Sequence, residues 1–333
     1  MRLVLLAGGL GGARLAPALA RVLGADRLTV IANVGDDLEW MGLRVCPDLD
    51  SITYALAGLW DRDRGWGRLG ETFRVGGALA RLGVPSWFAV GDLDLALHLE
   101  RARLLRGARS LTAVTRTLAR KLAIEGVTVL PASDSLAATR LRLQDGRVLD
   151  FQEWYVRERA RPRVRETLLA RAPAAGAALR ALAAADAVVL APSNPITSIG
   201  AILALRGMRR AVRAVPRRLA VSPVVIGRRH TSASITQHAR ARAKVLRAEG
   251  SADRPGAIAR RYAGLVECFL IDRSDAAEAE GIRRRSLEVV LSDVLDDDAL
   301  AATVASVATE SHPQARARVR PRRPRESARN ESP

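Results

Sequence analysis

Four aspartates stand close together in the first part of the 333-residue chain. Asp36 and Asp37 form one pair, and Asp48 and Asp50 follow before the helical pattern that starts at Ser51. Clustered carboxylates suit Mg²⁺, which takes one or two of them and leaves its other positions to water and substrate phosphate. A single aspartate could instead contact a ribose hydroxyl or cap a helix. For the group we predict a metal site, with Asp36 and Asp50 also acting in catalysis.

A glycine-rich segment precedes the aspartates. The residues from Gly8 to Arg14 read GGLGGAR, follow an apolar run and lead into a helical pattern. Glycines let a backbone approach phosphate closely, and the amides of a helix N-terminus attract anions. The spacing fits neither GxGxxG, because Arg14 replaces the third glycine, nor the Walker pattern. We predict phosphate binding by Gly9, Gly11, Gly12 and Arg14, with a tight turn that binds nothing as the alternative.

Polar segments follow three further predicted strands. They span residues 91–98, 191–200 and 221–223. Serine and asparagine at a free helix end can hold a phosphate or a nucleobase without charge, although the flanking prolines also fit a simple helix cap. The predicted substrate contacts here are Asp92, Ser193, Asn194 and Ser222. His98, a single histidine in a helical pattern, is interpreted as structural.

The elements that must position these residues alternate along the chain. Apolar runs predict strands at 2–7, 28–32, 86–90, 126–130, 187–190, 218–221 and 268–271, and periodic patterns predict helices at 14–23, 72–82, 93–105, 111–122 and 199–213. This alternation predicts an α/β, Rossmann-like fold with a largely parallel sheet and helices on both faces. Ligands bind beyond the carboxyl ends of such strands, so we expect the polar segments to meet at one edge.

Residues 1–312 are predicted to form a single α/β domain. Within it, an Asp145-Gly146 turn predicts a β-hairpin over 140–155. This hairpin belongs to a smaller inserted α/β-hairpin subregion of about 135–185. The subregion ends in an alanine-rich helix at 172–185. The segment 313–333 contains seven arginines, two glutamates and almost no large apolar residue. We expect a disordered basic tail there.

Composition excludes several classes of protein. No apolar run reaches the roughly 18 residues of a membrane-spanning helix. Cys46 and Cys268 lie far apart and show no CxxC spacing, so neither a zinc site nor a disulfide framework is indicated. A cytoplasmic protein is expected. The net charge of +18 is mostly arginine, but aromatics make up only 4% and do not alternate with basic residues. Nucleic acid is therefore a poor candidate, whereas arginine-rich sites also suit small anions.

Seven segments, in this order, resemble the 2-phospho-L-lactate transferase family of coenzyme F420 biosynthesis over about residues 2–275. They are 8–15, 33–37, 46–51, 87–98, 151–156, 191–200 and 222–225. The resemblance implies a Mg²⁺-dependent transferase. Such an enzyme moves a phospholactyl, phosphoenolpyruvyl or phosphoglyceryl group from a guanosine diphosphate conjugate to the ribityl hydroxyl of the deazaflavin Fo, and releases GMP.

The same resemblance assigns positions. Asp50 matches the family position that contacts Fo, the glycine segment and the Ser193-Asn194 segment match the side that binds the guanine nucleotide, and a homodimer is implied. The chain departs from the family pattern at 228–244, at Glu71 and at Ala89. The identity of the acid stays open. The alternatives are a nucleotide-sugar-binding regulatory protein without transferase activity, a nicotinamide dehydrogenase and a nucleic-acid binder.

Overall fold

The computed structural model describes residues 1–107, 109–227 and 233–310. The predicted basic tail at 313–333 and residues 228–232 of the departing segment lie outside the described residues. The strands are β1 (Leu3–Ala7), β2 (Leu28–Ala32), β3 (Leu38–Trp40), β4 (Leu43–Val45), β5 (Thr128–Pro131), β6 (Arg140–Leu143), β7 (Val148–Asp150), β8 (Val164–Leu168), β9 (Ala187–Leu190), β10 (Arg217–Val221), β11 (Cys268–Asp272) and β12 (Glu288–Ser292). The helices are α1 (Gly9–Leu23), α2 (Pro47–Leu56), α3 (Arg74–Arg81), α4 (Asp92–Arg106), α5 (Leu111–Lys121), α6 (Gly176–Ala183), α7 (Ile199–Ala204), α8 (Met208–Ala214), α9 (Ala233–Ala248), α10 (Pro255–Tyr262), α11 (Ala279–Arg283) and α12 (Asp297–Thr309).

Seven parallel strands form the central sheet, in the order β12-β11-β10-β9-β1-β2-β5. The central strands are apolar throughout because both faces of the sheet are covered, and every residue of β1, β9 and β11 is buried. From β1 the chain moves outward to β2 and β5, and after β9 it moves outward in the opposite direction. The strand order therefore reverses between β1 and β9. Ligand sites of open α/β sheets lie at such a reversal.

Helices cover both faces of this sheet. The connection from β1 to β2 through α1 and the connection from β9 to β10 through α7 and α8 step in opposite directions. Right-handed crossovers therefore place them on opposite faces. On one face α1 packs against α2 and α12, and on the other α8 packs against α6 and α7. The predicted Rossmann-like α/β fold is confirmed.

Besides the two-stranded antiparallel sheet of β3 and β4, a three-stranded antiparallel sheet lies between β5 and β9 in the chain. Its strand order is β7-β6-β8, and the hairpin of β6 and β7 turns at Gly146, whose φ of 89° suits glycine. Its apolar face packs on α9 in a separate hydrophobic cluster that includes Phe151, Trp154 and Val245. The predicted hairpin is present within the region expected for the insertion, and β8 adds a third strand that was not predicted.

Several elements differ from the sequence-based expectations. The predicted strand at 86–90 is wrong, since these described residues form a loop. The single helix predicted over 199–213 is two helices, α7 and α8, separated at Gly207, whose φ is 90°. The predicted second strand of the hairpin ends early, because 153–157 form a helical turn. Within the described part of the chain, none of the helices combines the length and the apolar character needed to cross a bilayer.

Candidate functional site

A cleft of about 1390 Å³ opens at the carboxyl edge of the sheet, where the strand order reverses. Most of the predicted site residues line it. These are Gly9, Gly11, Arg14, Asp36, Asp48, Asp50, Ser193, Asn194 and Ser222. Gly12, Asp37 and Asp92 are not among the described residues that line it. The parallel sheet thus brings together segments as far apart in the sequence as those of Gly9 and Ser222.

The glycine segment forms the first turn of α1, which begins at Gly9 and not at Arg14 as predicted. The Gly8 amide donates to Ser193 Oγ at 3.1 Å, and that hydroxyl donates to the Gly8 carbonyl at 2.8 Å. A Cβ on Gly11 would stand 2.4 Å from the Pro192 carbonyl oxygen, so only glycine fits. The two loops at the sheet reversal are therefore joined. The first amides of α1 lack intrahelical partners, and that of Gly9 donates to Asp48.

Gly12 and Arg14 have structural partners. A Cβ on Gly12 would lie 2.6 Å from that of Ala7, so this glycine lets α1 pack closely on β1. Arg14 does line the cleft, but its Nη2 donates to the Leu295 carbonyl at 2.6 Å and lies 2.7 Å from Asp297 Oδ1. The structure therefore does not place Gly12 at the predicted substrate contact. Arg14 lines the cleft, but its charge is partly balanced by Asp297.

Asp36 and Asp48 converge on the side-chain amide of Asn33. Asn33 Nδ2 donates to Asp36 Oδ1 at 3.1 Å and to Asp48 Oδ2 at 2.9 Å. Burial raises the pKa of Asp48 to about 7, with Asp37 adding to the shift and Asn33 opposing it. Burial, followed by repulsion from Asp48 and Asp37, also raises the pKa of Asp36 well above its usual range. Two buried carboxylates thus share the Asn33 amide, and the Gly9 backbone amide is the only further donor to Asp48 among the causes of its pKa shift. A divalent cation would stabilise this arrangement.

Asp37 faces away from this pair. Its Oδ2 accepts hydrogen bonds from Arg44 Nε at 3.1 Å, from Arg44 Nη2 at 2.9 Å and from Cys46 Sγ at 3.2 Å. Burial nevertheless raises its pKa to about 6, because it outweighs the attraction of Arg44. Asp37 Oδ1 has no hydrogen-bond partner within the described chain. The structure therefore does not support Asp37 as a metal ligand in the cleft.

Asp48 and Asp50 are separated by the geometry of α2. Two steps along an α-helix rotate a side chain by about 200°, so the two carboxylates point to nearly opposite sides. Asp48 faces the glycine segment, while both oxygens of Asp50 are bound by Arg101 of α4. Both Asp50 and Arg101 are buried. Because α2 already begins at Pro47, the alternative of Asp50 as helix cap is wrong.

Three residues beside Asp50 were not predicted to belong to the site. The Tyr54 hydroxyl donates to Asp94 Oδ1 at 2.5 Å, and His98 Nε2 lies 3.4 Å from Asp94 Oδ2. All three line the cleft. Asp94 and His98 are four residues apart on α4 and hence on one helix face, a spacing that could have indicated them from the sequence.

Aromatic side chains line the part of the cleft formed by the insertion and by the segment between α2 and α4. Phe151 and Tyr155 are stacked, with ring centroids 5.6 Å apart and planes inclined by 5°. The Tyr155 hydroxyl lies 2.9 Å from His238 Nδ1. Trp66 and Trp87 also line the cleft. Flat apolar walls of this kind can hold a planar ring system.

Asp92 is not at the cleft, where it was predicted to contact substrate. Although it begins α4, its Oδ2 accepts the hydroxyl of Thr72 and the amide of Arg74, and its Oδ1 accepts the amide of Val75 at 3.1 Å. It therefore caps α3 and does not face the cleft. The hydrogen bond from Thr72 is the first cause of its lowered pKa.

Comparison with known proteins gives consistent matches. The sequence model of the family described as 2-phospho-L-lactate transferase CofD matches residues 3–310. A phosphoenolpyruvate transferase from Streptomyces griseus is 39% identical over 326 residues, covering 93% of this chain and 99% of the relative. One from Nocardia farcinica is 38% identical over 305 residues, covering 88% and 90%. A solved structure of a UPF0052 family member from Bacillus halodurans shares the fold, with a TM-score of 0.58, 15% identity, and coverage of 91% of this chain and 98% of that one.

Proposed function

The chain belongs to the 2-phospho-L-lactate transferase CofD family, and on that premise we propose that it transfers a phosphoenolpyruvyl group. The donor is a guanosine diphosphate conjugate, and the acceptor is the ribityl hydroxyl of the deazaflavin Fo. Mg²⁺ is the cofactor and GMP the product. A transferase acting in coenzyme F420 biosynthesis follows from the family itself. The choice of the enolpyruvyl group rests on the names of the relatives. The observation that carries the proposal is the carboxylate pair Asp36 and Asp48 beside the glycine turn of α1.

The nucleotide side is formed by the joined loops after β1 and β9. Gly9 and Gly11 place the first turn of α1 at the cleft, and the positive end of the helix favours phosphate. Ser193 and Asn194 line the same cleft. The close approach of Gly11 to Pro192 fixes the distance between the two loops. These contacts would stabilise charge on the departing GMP.

The residues present fit a magnesium ion. Asp36 and Asp48 offer hard oxygen atoms, are buried, and have pKa values raised by burial and by other carboxylates, so a cation would relieve an existing excess of negative charge. We propose that these two aspartates hold the ion, with its remaining positions left to water and phosphate. When bound, it would supply neutralisation of the diphosphate charge.

The acceptor side lies at the aromatic wall. The stacked pair of Phe151 and Tyr155, with Trp66 and Trp87, provides flat surfaces for the deazaflavin ring. Asp50 remains the predicted contact to Fo, and its bidentate pairing with Arg101 holds it rigidly. In the reaction the ribityl oxygen forms a bond to the phosphorus that carries the enolpyruvyl group, the bond from that phosphorus to GMP breaks, and the hydroxyl proton is lost. Such transfers depend mainly on positioning and charge stabilisation.

The proposal is tested with purified protein, Fo, MgCl₂ and the guanosine diphosphate conjugates of phosphoenolpyruvate, phospholactate and phosphoglycerate in separate reactions. We expect GMP release and the mass of the enolpyruvyl phosphodiester of Fo, with little product from the other two donors. Preference for another acid would refute the choice of acid only. Tight binding of a donor with no turnover would refute the transfer and favour a nucleotide-binding regulatory protein. A homodimer and a cytoplasmic location remain predictions.

A further inference from the structure

His98 is buried between two carboxylates and an arginine. Its Nδ1 lies 3.1 Å from Arg101 Nη1 and 3.8 Å from Asp50 Oδ2, and its Nε2 lies 3.4 Å from Asp94 Oδ2. Only 1% of His98 is exposed. Its Nε2 has no hydrogen-bond partner among the described residues. A fully buried ring nitrogen left in this state calls for a specific role.

The position of the ring proton follows from Arg101. A guanidinium has only donors, so at the contact between Arg101 Nη1 and His98 Nδ1 the imidazole nitrogen must accept. In a neutral imidazole whose Nδ1 accepts, the proton is carried by Nε2. That N–H therefore faces Asp94. It cannot at the same time offer a lone pair, so His98 does not complete a metal site with Asp50 and Asp94, although ligand atoms of the three lie within 4.8 Å of one another.

The two carboxylates beside His98 differ in what they can still bind. Both oxygens of Asp50 are held by Arg101. In Asp94, Oδ1 accepts from the Tyr54 hydroxyl, whereas Oδ2 has only the more distant His98 N–H beside it. The Asp94 side chain is 15% exposed and lines the cleft. Asp94 is therefore the more accessible of the two carboxylates, since the Asp50 side chain is only 6% exposed and its charge is balanced by Arg101.

We propose that Asp94 accepts the proton of the acceptor's alcohol and that His98, fixed by Arg101, is the positioning residue that holds the Asp94 carboxylate in place. This inference rests on the proposed transfer reaction and names its hydroxyl-binding carboxylate. As the alcohol oxygen bonds to phosphorus, its proton passes to Asp94 Oδ2, the electron pair of the broken P–O bond leaves with GMP, and Asp94 then releases the proton to water. Hydrogen bonds that are long in a ligand-free site shorten when substrate binds.

Burial opposes ionisation of Asp94, but the contacts with His98, Tyr54 and Arg101 outweigh it and lower the pKa of this carboxyl group. Asp94 is therefore ionised and ready to accept a hydrogen bond at neutral pH. A weakly basic carboxylate suffices, because phosphoryl transfer needs the nucleophile to be oriented more than deprotonated in advance.

The test compares Asp94→Asn, His98→Met and His98→Gln by steady-state GMP release and by donor binding. Glutamine offers one acceptor and one donor, as neutral histidine does, while methionine offers neither in usable strength. We expect Asp94→Asn to lower kcat about a hundredfold with the KM for the donor nearly unchanged. His98→Met should lower kcat at least about tenfold, and His98→Gln should recover most of that loss.

Glu100→Gln is the matched control, since Glu100 lies on the same helix but pairs with Arg103 and Lys121 outside the cleft. Turnover of Asp94→Asn within about threefold of wild type would overturn the role of Asp94, and equal rates for the two His98 variants would overturn that of His98. If His98→Met fails to fold, Asp94→Asn still tests Asp94, and a loss of kcat greater than about tenfold in His98→Gln would overturn the role of His98, because glutamine keeps a donor and an acceptor. A wild-type protein without turnover would refute the proposed function instead, so the two failures are distinguishable.

Discussion

Replacing Asp48 by asparagine removes one of the two carboxylates that converge on Asn33. Burial raises the pKa of Asp48 from 3.8 to about 7 in the folded chain. An acid with a raised pKa binds its proton more tightly when folded, so the folded state loses stability as pH rises from about 4 to about 7. A shift of about three units corresponds to about 4 kcal/mol at most. Because Asp36 shares the shift, we expect Asp48→Asn to raise the free energy of unfolding by about 1–3 kcal/mol above pH 7.

The assay is thermal unfolding at pH 5 and pH 8, with EDTA or with MgCl₂. At pH 8 in EDTA the Asp48→Asn variant should unfold about 2–6 °C above the wild type. At pH 5 the difference should shrink, because Asp48 is then mostly protonated in the folded wild type. MgCl₂ should raise the Tm of the wild type far more than that of the variant. The rate of GMP release should fall about a hundredfold in the variant.

The control for this experiment is again Glu100→Gln. The hydrogen bond from Arg103, and then that from Lys121, lower the pKa of Glu100 to about 2, so this carboxylate is stabilised in the folded state and its loss cannot raise the Tm at pH 8. An unchanged difference in Tm between the two pH values would show that Asp48 carries no burial cost. Equal stabilisation of wild type and Asp48→Asn by MgCl₂ would remove Asp48 from the metal site.

Two further changes test the frame of the cleft. Gly11→Ala places a Cβ 2.4 Å from the Pro192 carbonyl oxygen. The affinity for guanosine diphosphate, measured by calorimetric titration, should therefore fall at least about tenfold. Gly76→Ala is the control and should leave this affinity unchanged, because its Cβ meets no described atom within 4 Å. Arg101→Ala leaves Asp50 buried without its counter-ion, and the free energy of unfolding in urea should fall by about 3–5 kcal/mol; a loss below about 1 kcal/mol would contradict a buried ion pair at this position.

The sequence was sufficient to predict six of the seven strands of the central sheet, all but β12, and the edge at which the site lies. Long apolar runs such as β1 and β9 are buried on both faces, and this leaves a strong signal. Because parallel strands end at a common edge, Gly9, Asp36 and Ser193 could be expected to meet without knowledge of any contact between them.

The orientation of individual side chains was beyond the sequence. A helix starting at Pro47 separates Asp48 from Asp50, and without that start the two resemble one metal-binding motif. Asp92 was assigned to the cleft because a strand was predicted before it, whereas a loop there lets it cap α3. Arg101 lies far from the glycine and aspartate segments in the sequence, and only its contact with Asp50 in the fold shows its function. For His98 the sequence offered no more than its four-residue spacing from Asp94.

The contacts of Arg14 with Leu295 and Asp297 have a consequence for biosynthesis. Its guanidinium is held by Leu295 and Asp297, and α1 packs along α12. During translation the glycine turn leaves the ribosome long before the residues that anchor its helix, since Leu295 follows Arg14 by 281 positions. We therefore expect nascent chains that stop before Leu295 to retain a loose first helix, so that the cleft is completed only after synthesis has passed Asp297.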